Sequence, residues 1–158
     1  MISTLIRSWR ILRTLPVKHQ PIFLDTAYVY ALVNTRDEWH KEALSWQEKL
    51  AEERRAIVTT ELILVEIADG LASIRFRVQA AQVIATLQSS PFVEIVAVSS
   101  ELLALALDLY RQHGDKEWGL TDCVSFLVMR ERGLFESLTV DAHFQQAGFQ
   151  ALLRATET

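Results

Sequence analysis

The chain is poor in the residues that build redox and covalent-catalysis sites. It holds one cysteine, Cys123, among 158 residues, so it forms no internal disulfide and offers no paired thiols for zinc. A reducing, cytoplasmic setting is therefore expected, with Cys123 as a small buried hydrophobe. Four histidines, His19, His40, His113 and His143, lack spacings such as HExxH, which disfavours a zinc enzyme and leaves each as a surface or packing residue. There is no GxSxG, no Ser/His/Asp arrangement near a shared loop and no GxxxxGK[ST] loop, which argues against serine hydrolases and P-loop phosphotransferases. No apolar run approaches the roughly 20 residues needed to span a bilayer, and arginines interrupt any signal-peptide core near the start.

What is present is a hydrophobic half, enough for one good core and too short a chain for two ordinary domains. The net charge of −4 conceals an asymmetry. Residues 1–20 carry Arg7, Arg10, Arg13 and Lys18 without an acid, leaving 12 basic and 20 acidic residues, a charge of −8, for residues 21–158. A body that acidic is not a general nucleic-acid binder held by counterion release. Any RNA would be met by a local basic rim, for which Arg111, Lys116, Arg75 and Arg77 are the candidates. Ile2, Leu5, Ile6, Trp9 and Leu12 share one helical face, so residues 1–20 read as a basic amphipathic or flexible extension and residues 21–158 as the domain.

From Pro21 onward, strand and helix patterns alternate. IFLDT, RAIVTT, VEIVAV and ESLTV read as buried strands, GFQALL as a short fifth, and the segments between them as helices. DEWHKEALSWQEKLAEE is an amphipathic helix with its acids in water, and ELILVEIADGLA and SIRFRVQAAQVIATLQ are two more. SSELLALALDLYRQHG is expected to be capped by Ser99 or Ser100 and stopped by Gly114; TDCVSFLVMRERG by Thr121 and Gly133. Such alternation implies a parallel sheet covered on both faces. Its ligand site would lie beyond the carboxyl ends of the strands.

Four acids stand alone in apolar stretches: Asp25 in PIFLDTAYVYALV, Glu66 in LILVEIA, Asp122 in LTDCVSFLVM and Asp141 in FESLTVDAHF. An ionised carboxylate buried in such company costs several kcal/mol unless paired. Lysine and arginine stay outside those stretches apart from their edges, so a divalent cation is the economical partner, and hard oxygen ligands suit Mg²⁺ or Mn²⁺. Asp25 and Asp141 follow strands, Asp122 opens a helix and Glu66 projects from the helix after the second strand, so all four can meet at one mouth.

With those positions placed, the chain resembles the PIN domain family, and within it the VapC-type toxins of bacterial and archaeal toxin–antitoxin systems. The matching stretches are FLDTAYVYALV, TTELILVEIADGL, DKEWGLTDCVSF and LTVDAHFQQAGF, spanning residues 21–153. The resemblance implies a three-layer α/β/α fold with a central parallel sheet of four to five strands. It implies that Asp25, Glu66, Asp122 and Asp141 are the acidic quartet that holds Mg²⁺ or Mn²⁺ and is catalytic, with Thr26 and Thr139 as supporting hydroxyls. Asp115 matches an acid common in the toxin pattern and reads as a loop or cap residue, a second-metal role being the lesser alternative. Trp118 and Phe144 read as packing residues rather than base-stacking platforms. The activity implied is a metal-dependent endoribonuclease, with an RNA substrate, a cognate antitoxin protein and, commonly, a homodimer. The alternatives are a PIN nuclease of RNA processing and a catalytically silent PIN-fold binding module. A phosphoaspartyl enzyme fits less well, because the phosphatase pattern needs an acid where this chain has Ala27 and a receiver domain needs a late lysine that is missing.

Overall fold

The computed structural model describes residues 19–154; the expected helix within residues 1–20 lies outside them, apart from His19 and Gln20. Five strands form the sheet: β1 (Ile22–Leu24), β2 (Ile57–Thr60), β3 (Val93–Val96), β4 (Glu136–Leu138) and β5 (Gln150–Ala151). All pairings are parallel, in the order β3-β2-β1-β4-β5. The central strands β1 and β2 are buried at every position, which is why they read as continuous apolar runs rather than alternating ones. The outer strands are half-buried or only two residues long.

Among the described residues, seven helices connect and cover the sheet: α1 (Thr26–Val33), α2 (His40–Glu53), α3 (Glu61–Gly70), α4 (Arg77–Ser89), α5 (Ser100–Gln112), α6 (Leu120–Glu131) and α7 (Ala142–Gln146). Ser99 caps α5 by accepting a hydrogen bond from Leu102 N at 3.1 Å. Gly133, at φ 62°, ends α6 in the left-handed conformation that glycine adopts freely, and Leu134 N closes the turn on Met129 O. Three helix starts depart from expectation. α2 begins at His40 because Asp37 Oδ1 accepts from Trp39 N at 2.9 Å and holds a turn before it. α4 begins at Arg77, after a turn in which Phe76 N bonds Ser73 O, leaving Ile74 96% exposed. The N-cap of α6 is Gly119, not Thr121. α5 stops at Gln112 with His113 as its cap, so Gly114 stands just past the end as expected, the place Gly133 takes after α6.

Aromatic packing fixes α6 and α7 against one face of the sheet. Phe23 of β1 lies 6.1 Å from Phe144, which meets Phe126 edge-on at 5.1 Å, and Trp118 meets Phe126 edge-on at 5.0 Å. Trp118 and Phe144 are buried, as packing residues should be, and the Trp118 indole N–H donates to Gln146 Oε1 at 3.1 Å. Successive strand residues point to opposite faces, so Leu24 turns to the other layer. There, with Tyr28, Val29, Val83 and Leu87, it lines a cavity of roughly 270 Å³. Cys123 is fully buried and free.

At the amino-terminal end of the strands, Arg55 is 7% exposed; its Nε donates to Gln20 O at 2.8 Å and its guanidinium pairs with Glu136. That arginine ties the entry of β1, the entry of β2 and the entry of β4 together. Breaking a buried pair by removing one partner costs about 3–5 kcal/mol, and partial exposure of Glu136 lowers this to about 2–3 kcal/mol here. Arg55→Ala should accordingly lower the melting temperature by roughly 4–12 °C, and Glu136→Gln by less. An Arg55→Ala protein that melts within a degree of the wild type would show that this end of the sheet does not depend on the ion pair.

Candidate active site

The strand order reverses at β1. Chain order runs outward on one side through β2 and β3, while β4 and β5 lie on the other, so the crevice between β1 and β4 is the switch point where ligands bind in open parallel sheets. Asp25 follows β1 directly, and its backbone N–H bonds Leu138 O at 3.3 Å. Thr139 and Asp141 follow β4. The two central strands thus deliver two acids and a hydroxyl to one crevice.

Asp25 is 6% exposed. It occupies the N-cap position of α1 without making a capping bond; instead its Oδ2 accepts from Thr139 Oγ1 at 2.5 Å. Burial pushes its pKa up to about 7, against the pull of the Thr139 hydroxyl and the Thr26 amide, and Asp122 and Glu66 add to the rise by repulsion. Thr139 Oγ1 also accepts from Asp141 N at 2.9 Å, so one hydroxyl locks two acids in register.

Asp141 caps α7, its Oδ1 accepting from His143 N at 2.8 Å. Asp122 sits three residues after Gly119 and accepts that glycine's N–H through Oδ2 at 2.8 Å, which orients the carboxylate back over the helix start. Burial first, and then the Asp141 charge, raise the Asp122 pKa; the Gly119 amide and His143 oppose them. Across the crevice, Thr26 Oγ1 donates to Glu66 Oε2 at 2.5 Å. All four acids are therefore brought together, linked by direct repulsion or by shared threonines.

Two expectations about them need correction. Glu66 is exposed rather than buried in its apolar stretch, because α3 turns only Ile63 and Ile67 fully inward and leaves Val65 and Glu66 outside. The Asp141 side chain is 36% exposed. Burial is real at Asp25 and partial at Asp122, so the isolation of an acid in sequence overstated its isolation in space. Asp115 is exposed in a loop and paired with Lys116 at 3.0 Å, which holds its pKa below the usual carboxylate range and gives it no contact with the quartet. Nor do the contacts of the basic candidates reach the site. Arg111 pairs with Asp108 on its own helix, Lys116 with Asp115, Arg77 with Ala72 O, and Arg75 stacks on Phe76.

Two residues come to the site unannounced by the sequence. His143, expected to be a surface or packing residue, places Nδ1 3.2 Å from Asp122 Oδ2 and 3.4 Å from Asp141 Oδ2. Tyr30 crosses α3, its hydroxyl donating to Glu66 O at 2.9 Å. It passes where Gly70 has no side chain; a Cβ there would stand 1.6 Å from the Tyr30 hydroxyl oxygen. Burial and the nearby Glu66, Asp25 and Asp69 raise the Tyr30 pKa.

The residues present fit a divalent cation. The charged groups acting on Asp25 are both negative, and Asp122, Asp141 and His143 each offer a donor atom within 4.8 Å of the others. Hard oxygens with one imidazole nitrogen make a suitable donor set.

The PIN domain family model matches residues 22–150. The chain is similar to the "23S rRNA-specific endonuclease VapC20" of two Mycobacterium tuberculosis strains, each 30% identical over 128 residues, covering 81% of this chain and 95% of theirs. It is also similar to the crystal structure of M. tuberculosis VapC20, described as a "Sarcin-Ricin loop cleaving toxin". That match has a TM-score of 0.71 and 28% identity, and covers 82% of this chain and 96% of that one.

The electrostatics predict an unusual stability profile for the metal-free protein. With a folded pKa of about 7 against 3.8 unfolded, native Asp25 binds its proton more tightly than the unfolded chain does. Stability from this group is thus highest below pH 4 and falls as pH rises toward 7, by on the order of a few kcal/mol. In EDTA the melting temperature should decline from pH 5 to pH 8. Asp25→Asn should flatten that slope and melt higher than wild type at pH 8; a wild-type profile that rises over the same range would refute the assignment.

Proposed function

The chain belongs to the PIN domain family, and on that premise we propose that it is a metal-dependent endoribonuclease hydrolysing RNA phosphodiester bonds, the toxin of a toxin–antitoxin pair. The observation that carries this reading is the convergence of Asp25, Glu66, Asp122 and Asp141 at the β1/β4 switch point, with repulsion among them and no lysine or arginine among the charges acting on Asp25 or Asp122. These acids would hold Mg²⁺ or Mn²⁺. Such an ion, when bound, supplies an acidified water for attack on phosphorus and positive charge against the leaving oxygen.

The chain's own groups do the positioning. The Thr139 hydroxyl, spending its proton on Asp25 and its lone pair on the Asp141 amide, fixes the distance between the acids that follow β1 and β4. Thr26 restrains Glu66, which would otherwise move freely on an exposed helix face. The Gly119 amide turns Asp122 inward. Preorganised donors of this kind leave little to rearrange when substrate arrives.

The 23S rRNA specificity and Sarcin-Ricin loop cleavage of VapC20 make the Sarcin-Ricin loop of 23S rRNA the first substrate to test. An antitoxin partner is supported by the acidic body and by apolar side chains that this chain leaves uncovered: Val65, Ile74 and Val78 are 55%, 96% and 64% exposed around the Glu66 helix and the start of the next. Among the described residues no helix is long and apolar enough to cross a membrane, and a cytoplasmic location suits a ribonuclease of this kind.

Cleavage of that loop should require Mg²⁺ or Mn²⁺ and stop in EDTA. Asp25→Asn and Asp122→Asn should each reduce it by more than the about 10–100-fold that loss of an outer-shell partner brings, and Thr139→Val by about that factor. Glu48→Gln, on the exposed face of α2, should change nothing. Wild-type cleavage by both aspartate variants in Mg²⁺ would remove the quartet from the chemistry.

A further inference from the structure

The four acids leave one donor at the site unused. We propose that His143 Nδ1 is a nitrogen ligand of the ion held by Asp122 and Asp141, and that it biases the site toward Mn²⁺ over Mg²⁺. This inference rests on the metal-site reading above.

The geometry is that of a shared centre. Two donor atoms that bind one small ion at about 2.1 Å lie about 3.0 Å apart when the angle between them is a right angle and about 3.4 Å apart when it is tetrahedral. His143 Nδ1 stands 3.2 Å from Asp122 Oδ2 and 3.4 Å from Asp141 Oδ2, which falls in that interval on both sides. The 3.2 Å contact with Asp122 also serves as a hydrogen bond while no ion is bound, but the 3.4 Å approach to Asp141 lies beyond that range. N–H···O distances centre near 2.9–3.0 Å, and a ring nitrogen satisfied by one carboxylate would close on it rather than stand nearly midway between two.

Local structure holds the ring there. Asp141 caps α7 through the His143 amide at 2.8 Å, so the bond that starts the helix also turns the imidazole and the Asp141 Oδ2 to one side. Phe144, the next residue, is fully buried in the aromatic cluster and anchors the helix turn beneath them. The His143 side chain is 24% exposed, half-sunk at the crevice with Nδ1 facing inward. Its neighbour Asp122 is oriented independently by Gly119.

An imidazole in an otherwise oxygen site has a chemical consequence. Mg²⁺ takes oxygen ligands and sheds water reluctantly, whereas first-row transition ions accept imidazole readily. A site of oxygens alone would leave Mg²⁺, the more abundant cellular ion, as the default occupant. One nitrogen shifts the balance to Mn²⁺.

The test is made on the full chain loaded with Mn²⁺. Pulsed electron paramagnetic resonance should show nitrogen modulation of the Mn²⁺ echo in wild-type protein, and ¹⁵N-histidine labelling should convert the ¹⁴N pattern to the ¹⁵N pattern. His143→Ala should abolish the modulation. By calorimetry it should weaken Mn²⁺ binding by about tenfold or more while changing Mg²⁺ binding by less than about threefold. Wild-type Mn²⁺ protein without nitrogen modulation overturns the proposal, whether or not the variant folds. Mn²⁺ binding that is lost in Asp122→Asn yet shows no histidine nitrogen would sink this proposal and leave the nuclease reading standing; Mn²⁺ binding indifferent to Asp25→Asn, Asp122→Asn and Asp141→Asn alike would sink both.

Discussion

Like charges held close together are the constraint around which this molecule is organised. Asp25, buried at the end of the central strand, feels the charges of Asp122 and Glu66, and Asp122 feels that of Asp141. Nothing in that arrangement favours the folded chain by itself. The stability that keeps it together comes from elsewhere: the aromatic wedge of Phe23, Phe126 and Phe144 under one face, the buried strands β1 and β2, and the Arg55 ion pair at the opposite end of the sheet. Strain concentrated at a functional crevice and offset in the surrounding scaffold is how strongly shifted carboxyl groups persist.

The restraint on the acids is built from short, uncharged groups. Two threonine hydroxyls and two backbone amides, those of Gly119 and His143, set the carboxylates without neutralising them. A lysine or arginine in any of these roles would have relieved the repulsion and, with it, the attraction for a cation. Hydroxyls and amides orient a carboxylate while leaving its charge available.

Much of this was legible in the residues. A single acid after IFL, and another after SLTV, marks a strand end as plainly as a turn residue does, and the alternation of short apolar runs with helical periodicity gives the parallel sheet. Ser99 and Gly133 punctuate helices as their chemistry requires. The rest was hidden for physical reasons. LILVEIA looks uniformly apolar, yet a helix has an outside, and Val65 and Glu66 are on it. Gly119 displaces Thr121 as the cap of α6 because an acid three residues on reaches back to its amide, so the signal lay in the spacing G-x-x-D rather than in a hydroxyl residue. His143 meets an acid 21 residues distant, a contact that no local spacing announces. The Tyr30 and Gly70 crossing depends on two helices meeting, and nothing in the helical pattern of ELILVEIADGLA announces it.

The hydrogen bond from Thr139 to Asp25 spans 114 residues, and that separation gives the site a place in time. During synthesis β1 emerges early and can pair with β2 long before β4 exists to take its seat on the other side. Loop-closure entropy makes so distant a pairing a late event in folding. A nascent chain, or a fragment cut between α6 and β4, therefore carries Asp25, Glu66 and Asp122 but lacks the Thr139 hydroxyl that aligns Asp25 and the Asp141 that completes the set. Geometry withheld until β4 docks means that an unfinished or truncated chain is held inactive by its own topology, with no inhibitor needed while it is being made.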